Sequence, residues 1–196
     1  MKTMKKALLL ALCAVLLVAA SVAGTLPYLT AQDSVSNTYT VGKVEIELKE
    51  YDMDVETGKK KENATVANAV DGLQDIKLVP GRVIQKNPFI TVGEESEPCW
   101  LFVKIENGLG EAVTVNGMAD WNAVDDKSGY YMYKDKVEAN AVVNVFTSVT
   151  VKPELGNAEI NALEDKTIVV TAYAVQAEGV EKQDAWGALD THYELN

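Results

Sequence analysis

The chain has a single histidine, two cysteines and five prolines among 196 residues. One histidine, His192, cannot supply a His-Glu-x-x-His zinc set and leaves little scope for imidazole catalysis. There is no Gly-x-Ser-x-Gly elbow and no Walker loop, which removes the usual α/β-hydrolase and P-loop readings. No apolar run reaches the ~20 residues that a membrane-spanning helix needs. Basic residues are scarce beyond the N-terminus. Residues 29–196 carry 15 basic and 29 acidic side chains, a net charge of about −14. Such a surface repels phosphate backbones and anionic lipid, so nucleic acid is not an expected partner. Fixed-period repeats and low-complexity stretches are absent. With 47% hydrophobic residues the composition excludes intrinsic disorder, and the length allows one domain or at most two small ones.

What is present begins with an export-type N-terminus. Lys2, Lys5 and Lys6 precede an apolar run over residues 7–20, and Gly24, Thr25 and Pro27 then break it. This is the layout of a signal peptide, assigned to residues 1–28, with Tyr28–Leu29 as the expected cleavage point. An uncleaved anchor is the competing reading. A lipoprotein reading fails because Cys13 lies mid-run after Leu12. Export implies an oxidising exterior. Cleavage removes Cys13 and leaves Cys99 without an internal disulfide partner, so the mature fold must rest on its core. Cys99 opens an apolar run and reads as a buried, inert thiol.

The remainder reads as strands. Over residues 38–49, Val44, Ile46 and Leu48 alternate with Lys43, Glu45, Glu47 and Lys49, a half-buried strand whose phase flips at Gly42. The flip predicts a bulge there. Asp52, Asp54 and Glu56 mimic a calcium loop, but Thr57 stands at the sixth position and Asn63 at the twelfth, so a solvated hairpin tip is expected. Pro80-Gly81 predicts a type II turn, followed by an extended segment over 82–92 in which Pro88 argues for an edge or a bulge. Residues 99–106 are apolar on both faces at first, which suits a central strand covered on two sides. Asn107-Gly108 is a turn signal. Residues 129–134 form an aromatic strand. Residues 142–152 place Val143, Val145, Val149 and Val151 on one face, and residues 167–177 are the last long strand. Short helices are expected near 158–163 and 182–189. The sum is an all-β, jelly-roll-like β-sandwich of about eight strands with one or two short helices, preceded by the signal peptide. The sandwich domain covers residues 42–196, and residues 29–41 form an extended arm or an edge strand.

Candidate chemistry is sparse. Cys99 with His192 could in principle form a thiol–imidazole pair, but one opens a strand and the other stands near the C-terminus. Glu94 and Glu95 would serve glycoside hydrolysis only inside a cleft, and a solvated loop is the expectation. Trp100, Trp121, Tyr130, Tyr131, Tyr133, Tyr173 and Trp186 could line a sugar platform, although aromatics on strands more often fill the core. No catalytic, cofactor-binding or metal-ligating residue is assigned, and no enzyme activity is expected.

Three stretches taken together carry a resemblance. The first joins Lys5-Lys6 and the apolar run to Gly24-Thr25-Leu26-Pro27-Tyr28-Leu29-Thr30, then Ser36-Asn37-Thr38-Tyr39-Thr40-Val41-Gly42-Lys43. The second holds Val79-Pro80-Gly81, Lys86-Asn87-Pro88 and Glu97-Pro98-Cys99-Trp100. The third holds Ala172-Tyr173-Ala174-Val175 and Asp184-Ala185-Trp186-Gly187. In this order they resemble the TasA/camelysin family, secreted proteins with signals cut by a SipW-type peptidase. Pro27 and Leu29 depart from the family's usual small residue and Phe. The resemblance implies a secreted jelly-roll protein of a Gram-positive bacterium. Camelysins carry a metallopeptidase label, which this chain, lacking a zinc set, does not inherit.

The leading functional expectation is a secreted structural subunit of extracellular matrix or cell-surface fibres, of the biofilm type. Assembly would proceed by donation of residues 29–41 to a sheet edge of the next subunit. Head-to-tail pairing of this kind does not close and gives filaments. The alternatives are an edge strand folded back on its own domain, a monomeric surface-binding or adhesion module, and a camelysin-like metallopeptidase. Expected partners are other copies of the chain and, during export, the signal peptidase. No stable membrane insertion is expected after processing.

Overall fold

The computed structural model describes residues 43–71 and 76–195. The expected signal peptide, the arm at 29–41 and the bulge at Gly42 lie outside the described residues. Within them are ten strands: β1 (Ile46–Glu50), β2 (Val83–Ile84), β3 (Pro88–Val92), β4 (Cys99–Asn107), β5 (Val113–Asn116), β6 (Trp121–Ala123), β7 (Tyr130–Tyr133), β8 (Val142–Asn144), β9 (Ser148–Val151) and β10 (Ile168–Gln176). Two short helices accompany them, α1 (Asn157–Asn161) and α2 (Ala185–Tyr193). The all-β expectation with two short helices is therefore met, with ten strands instead of about eight.

Every ladder is antiparallel. The strands group into three sheets, ordered β1-β3-β8, β10-β4-β7-β6 and β2-β9-β5. All three contribute to one hydrophobic core. Ile90, Val92 and Val143 come from the first, Leu101, Val103 and Trp121 from the second, and Ile84, Val113, Val149 and Val151 from the third. Sheets that share one interior in this way pack as a sandwich.

The two-residue period explains β4. Cys99, Leu101 and Val103 face the shared core, while Phe102 faces the opposite way into a second, smaller cluster with Ala185 and Leu189 of α2. Cys99, Leu101, Phe102 and Val103 are all fully buried. β4 lies between β10 and β7, so the expected central strand covered on two sides is what forms. The Pro80-Gly81 turn also matches. Arg82 N–H donates to Val79 C=O at 3.0 Å, and Gly81 has φ +75°, the left-handed value that position requires.

Two expectations are corrected. Pro88 does not mark an edge, because β3 is the middle strand of its sheet. The proline is tolerated as the first residue of the strand. Its carbonyl accepts from Val145 N–H at 2.8 Å, and its missing N–H removes only the return bond to Val145 at the end of the ladder. Residues 82–92 and 142–152 are likewise not continuous strands. Each crosses from one sheet to another, β2 to β3 and β8 to β9. At the second crossing Val145 still pairs with Pro88, Phe146 turns inward at 0% exposure, and Thr147 N–H already bonds Asn116 of the third sheet.

Residues 51–63 form the expected hairpin tip. Thr57 donates from N–H and Oγ1 to Asp54 Oδ1, both at 2.8 Å, and Lys61 pairs with Asp52 at 2.8 Å. The Thr57 hydrogen bonds hold the Asp54 carboxyl below its ordinary pKa. Met53, at 1% exposure, anchors the excursion to the body.

Candidate functional site

The residues with catalytic potential are not brought together. Cys99 is fully buried on the core face of β4. Burial, and secondarily the nearby Glu138 carboxylate, push its thiol up to about 11, far from a reactive thiolate at neutral pH. His192 is exposed on α2, edge-on to Tyr193 at 4.6 Å, and α2 packs on the other face of the same sheet. Glu94 and Glu95 are exposed in a turn. Among the described residues no three His, Cys, Asp or Glu side chains are grouped to hold a metal ion. Among the same residues no helix is long and apolar enough to cross a membrane.

The candidate platform aromatics are buried or half-buried. Trp121 and Tyr130 are buried at 6% and 3% exposure. Tyr130 meets Trp186 edge-on at 5.1 Å, Trp186 meets Phe102 at 5.7 Å, and Tyr173 meets Tyr193 at 5.3 Å. Trp100 Nε1 donates to Val180 C=O and Trp121 Nε1 to Asn144 C=O, each at 2.9 Å. Trp100, Tyr131, Tyr133, Tyr173 and Trp186 are half-buried. Desolvation, with a smaller contribution from Tyr130, raises the Tyr173 phenol.

The feature with functional potential is backbone, not side chain. Gly108 N–H donates to Thr167 C=O at 2.9 Å and Ala177 N–H to Pro98 C=O at 2.8 Å. These bonds fix the ladder phase, so odd-numbered residues of β10 bond to β4. Ile168, Val170, Ala172, Ala174 and Gln176 therefore turn their N–H and C=O groups to the outer side. β10 ends its sheet, and among the described residues nothing pairs with that side.

Sheet ends are ordinarily guarded by charge, proline, bulges or brevity. β6, β8 and β2 are short, with three, three and two residues. β1 carries Glu47, Lys49 and Glu50. β10 is nine residues long and has no charge, proline or glycine. β1 lies beside it in space, and no ladder joins the two among the described residues. The outward groups of Ile46 and Leu48 on β1 follow from the same phase argument, since Gly93 N–H bonds Glu45 C=O at 2.9 Å. Sequence reading named an exposed edge without locating it. The signal was available in the uninterrupted run Ile168-Val169-Val170-Thr171-Ala172-Tyr173-Ala174-Val175-Gln176.

No protein family, curated protein or solved structure matches the chain.

Proposed function

We propose that the protein is a secreted structural subunit that assembles head to tail into matrix or cell-surface fibres, each copy adding a strand to the open edge of the next. Membership of the TasA/camelysin family is part of the same reading. The observation that carries it is the nine-residue edge of β10, unpaired among the described residues and without the usual guards. A strand added there would bond to five outward-facing residues and lie with one face toward the shared core and the other toward α2.

Residues 29–41 have a fitting sequence. Ser34, Ser36, Thr38 and Thr40 lie on one side and Val35, Tyr39 and Val41 on the other, where Asp33 and Asn37 interrupt the apolar set. Donation in trans leaves each copy with one arm offered and one edge filled, an interaction that does not close on itself. The acidic body keeps unassembled copies apart in solution.

The test is processed protein with and without residues 29–41, examined by electron microscopy and sedimentation. Fibres from the intact protein and monomers from the shortened one are expected. Fibres that persist unchanged without the segment would eliminate it as donor. Monomers in both samples at high concentration would eliminate assembly itself.

A further inference from the structure

Two strands end on an Asn-Gly step, β4 at Asn107-Gly108 and β5 at Asn116-Gly117. Glycine after asparagine leaves its backbone nitrogen sterically free to reach the side-chain carbon. The amide nitrogen can attack Asn Cγ, giving up its proton to water. The bond from Cγ to Nδ2 breaks, ammonia leaves, and a cyclic imide closes. Water then opens the imide at either carbonyl, giving aspartate or its β-linked isomer. Water is the only co-reactant and nothing is oxidised or reduced.

The first step is locked against this chemistry. Gly108 N–H, the required nucleophile, donates to Thr167 C=O at 2.9 Å. The Asn107 carbamoyl is held at both ends. Its Oδ1 accepts from Leu109 N–H at 3.1 Å, and its Nδ2 donates to Gly110 C=O at 2.9 Å.

The second step is different. Gly117 is exposed, and its N–H has no partner among the described residues. Only the leaving end of the Asn116 side chain is restrained. Nδ2 donates to Thr150 Oγ1 at 3.0 Å, Thr114 C=O at 3.2 Å and Ser148 Oγ at 3.4 Å.

We propose that Asn116-Gly117 is a self-modifying site that converts slowly to aspartate and isoaspartate, with Thr150 as the principal brake, while Asn107-Gly108 stays inert in the folded protein. Conversion matters locally. A carboxylate cannot donate to Thr114 C=O. The β-linked isomer lengthens the backbone where Asn116 C=O accepts from Thr147 N–H at 2.9 Å. The chain runs close to β9 there, since a Cβ at Gly117 would come within 2.1 Å of Thr147 Oγ1. The end of β5 would peel from β9.

The experiment ages the full chain in warm, mildly alkaline buffer, folded and in denaturant. It reads both sites by peptide mass and by isoaspartyl methyltransferase labelling. In the folded chain residue 116 should convert and residue 107 should not, whereas in denaturant both convert. Thr150→Val should speed conversion at 116 about fivefold, the factor carried by one hydrogen bond. Ser148→Ala should speed it less, and serves alone if the first variant does not fold. Conversion at 107 equal to or faster than at 116 in the folded chain overturns the proposal. So does a folded-state residue 116 that stays intact while denatured samples convert. An unchanged rate in the hydroxyl variants overturns the role given to the brake.

Discussion

Proline at position 172 separates the two sides of β10. Ala172 N–H faces the outer side, unpaired among the described residues, while its neighbour Thr171 bonds to Lys104 across the ladder. Ala172→Pro therefore deletes one outward donor and sets a ring toward any incoming strand, yet spares every bond to β4. Thr171→Pro deletes an inner bond instead and leaves a carbonyl of β4 unpaired, which should cost the monomer about 3 kcal/mol. An added strand would form bonds worth roughly 0.5–1.5 kcal/mol each. Losing one and disturbing its neighbour should weaken the subunit contact by about 1–3 kcal/mol, or about 5- to 150-fold in critical concentration. The assay pairs urea unfolding of the monomer with sedimentation of assembled material over a concentration series. Ala172→Pro should assemble poorly from a nearly intact monomer, and Thr171→Pro should lose stability first. Assembly of Ala172→Pro at the wild-type threshold would refute the assignment of β10 as the accepting edge.

Other outcomes follow from the packing. Leu101→Ala empties a fully buried position in the shared core and should cost about 2–5 kcal/mol in urea unfolding. Leu189→Ala removes the anchor of α2 from the smaller cluster; the emission of Trp186 should shift before the sheets unfold, whereas a single shared transition would show that α2 is not separately docked. Gly117→Ala combines φ +87° with a 2.1 Å approach to Thr147 Oγ1, and thermal unfolding should register a loss of about 1–3 kcal/mol. Cys99 should resist alkylation at neutral pH until the chain is unfolded. Its proton is held more tightly in the folded state, so its contribution to stability is full below the ordinary thiol pKa of 9.0 and fades as pH rises toward about 11. The comparison is wild type against Cys99→Ala across that range, and parallel pH curves for the two would refute the assignment.

Where local chemistry decides a structure, the sequence was readable. Pro80-Gly81 can make few things other than its turn, and the double-faced run at 99–106 can be stable only between two packed layers. The alternation of Val44, Ile46 and Leu48 against charged neighbours survives in β1 and the residues just before it. Pairing partners were not readable. Residues 142–152 keep valine parity through two strands because both face the same interior, and the change of sheet shows only at Phe146, buried beside Val145 against that parity. Pro88 misled for a related reason. A missing donor costs one bond at the end of a ladder without making the strand an edge: Pro88 still accepts from Val145 N–H, and full pairing with β8 begins at Phe89. The edge of β10, unpaired among the described residues, was legible only in part: the run over 168–176 without charge, proline or glycine is in the sequence, but which strand ends a sheet is a property of the backbone.

That distinction also bears on why β10 rather than another strand would accept a partner. Its odd-numbered side chains, Tyr173 and Val175, pack with the α2 cluster, and its even-numbered ones, Ile168, Val170, Ala172 and Ala174, pack on the shared core. Both faces are thus partly clothed, with Val169 left 46% exposed, while the outer backbone groups stay unpaired among the described residues. A strand arriving at a bare sheet gains hydrogen bonds but leaves its side chains in water. One arriving beside β10 would meet apolar surface in front and behind, so its alternating side chains could be buried as its backbone pairs. Register then matters, because a slip of one residue would exchange the sides, shared core or α2 cluster, that Val35, Tyr39 and Val41 and Ser34, Ser36 and Thr38 meet. Substituting Ser36 with valine and Val35 with serine should weaken assembly in processed protein while leaving the unfolding of the body unchanged. Equal assembly by the swapped arm would show that the edge reads backbone alone.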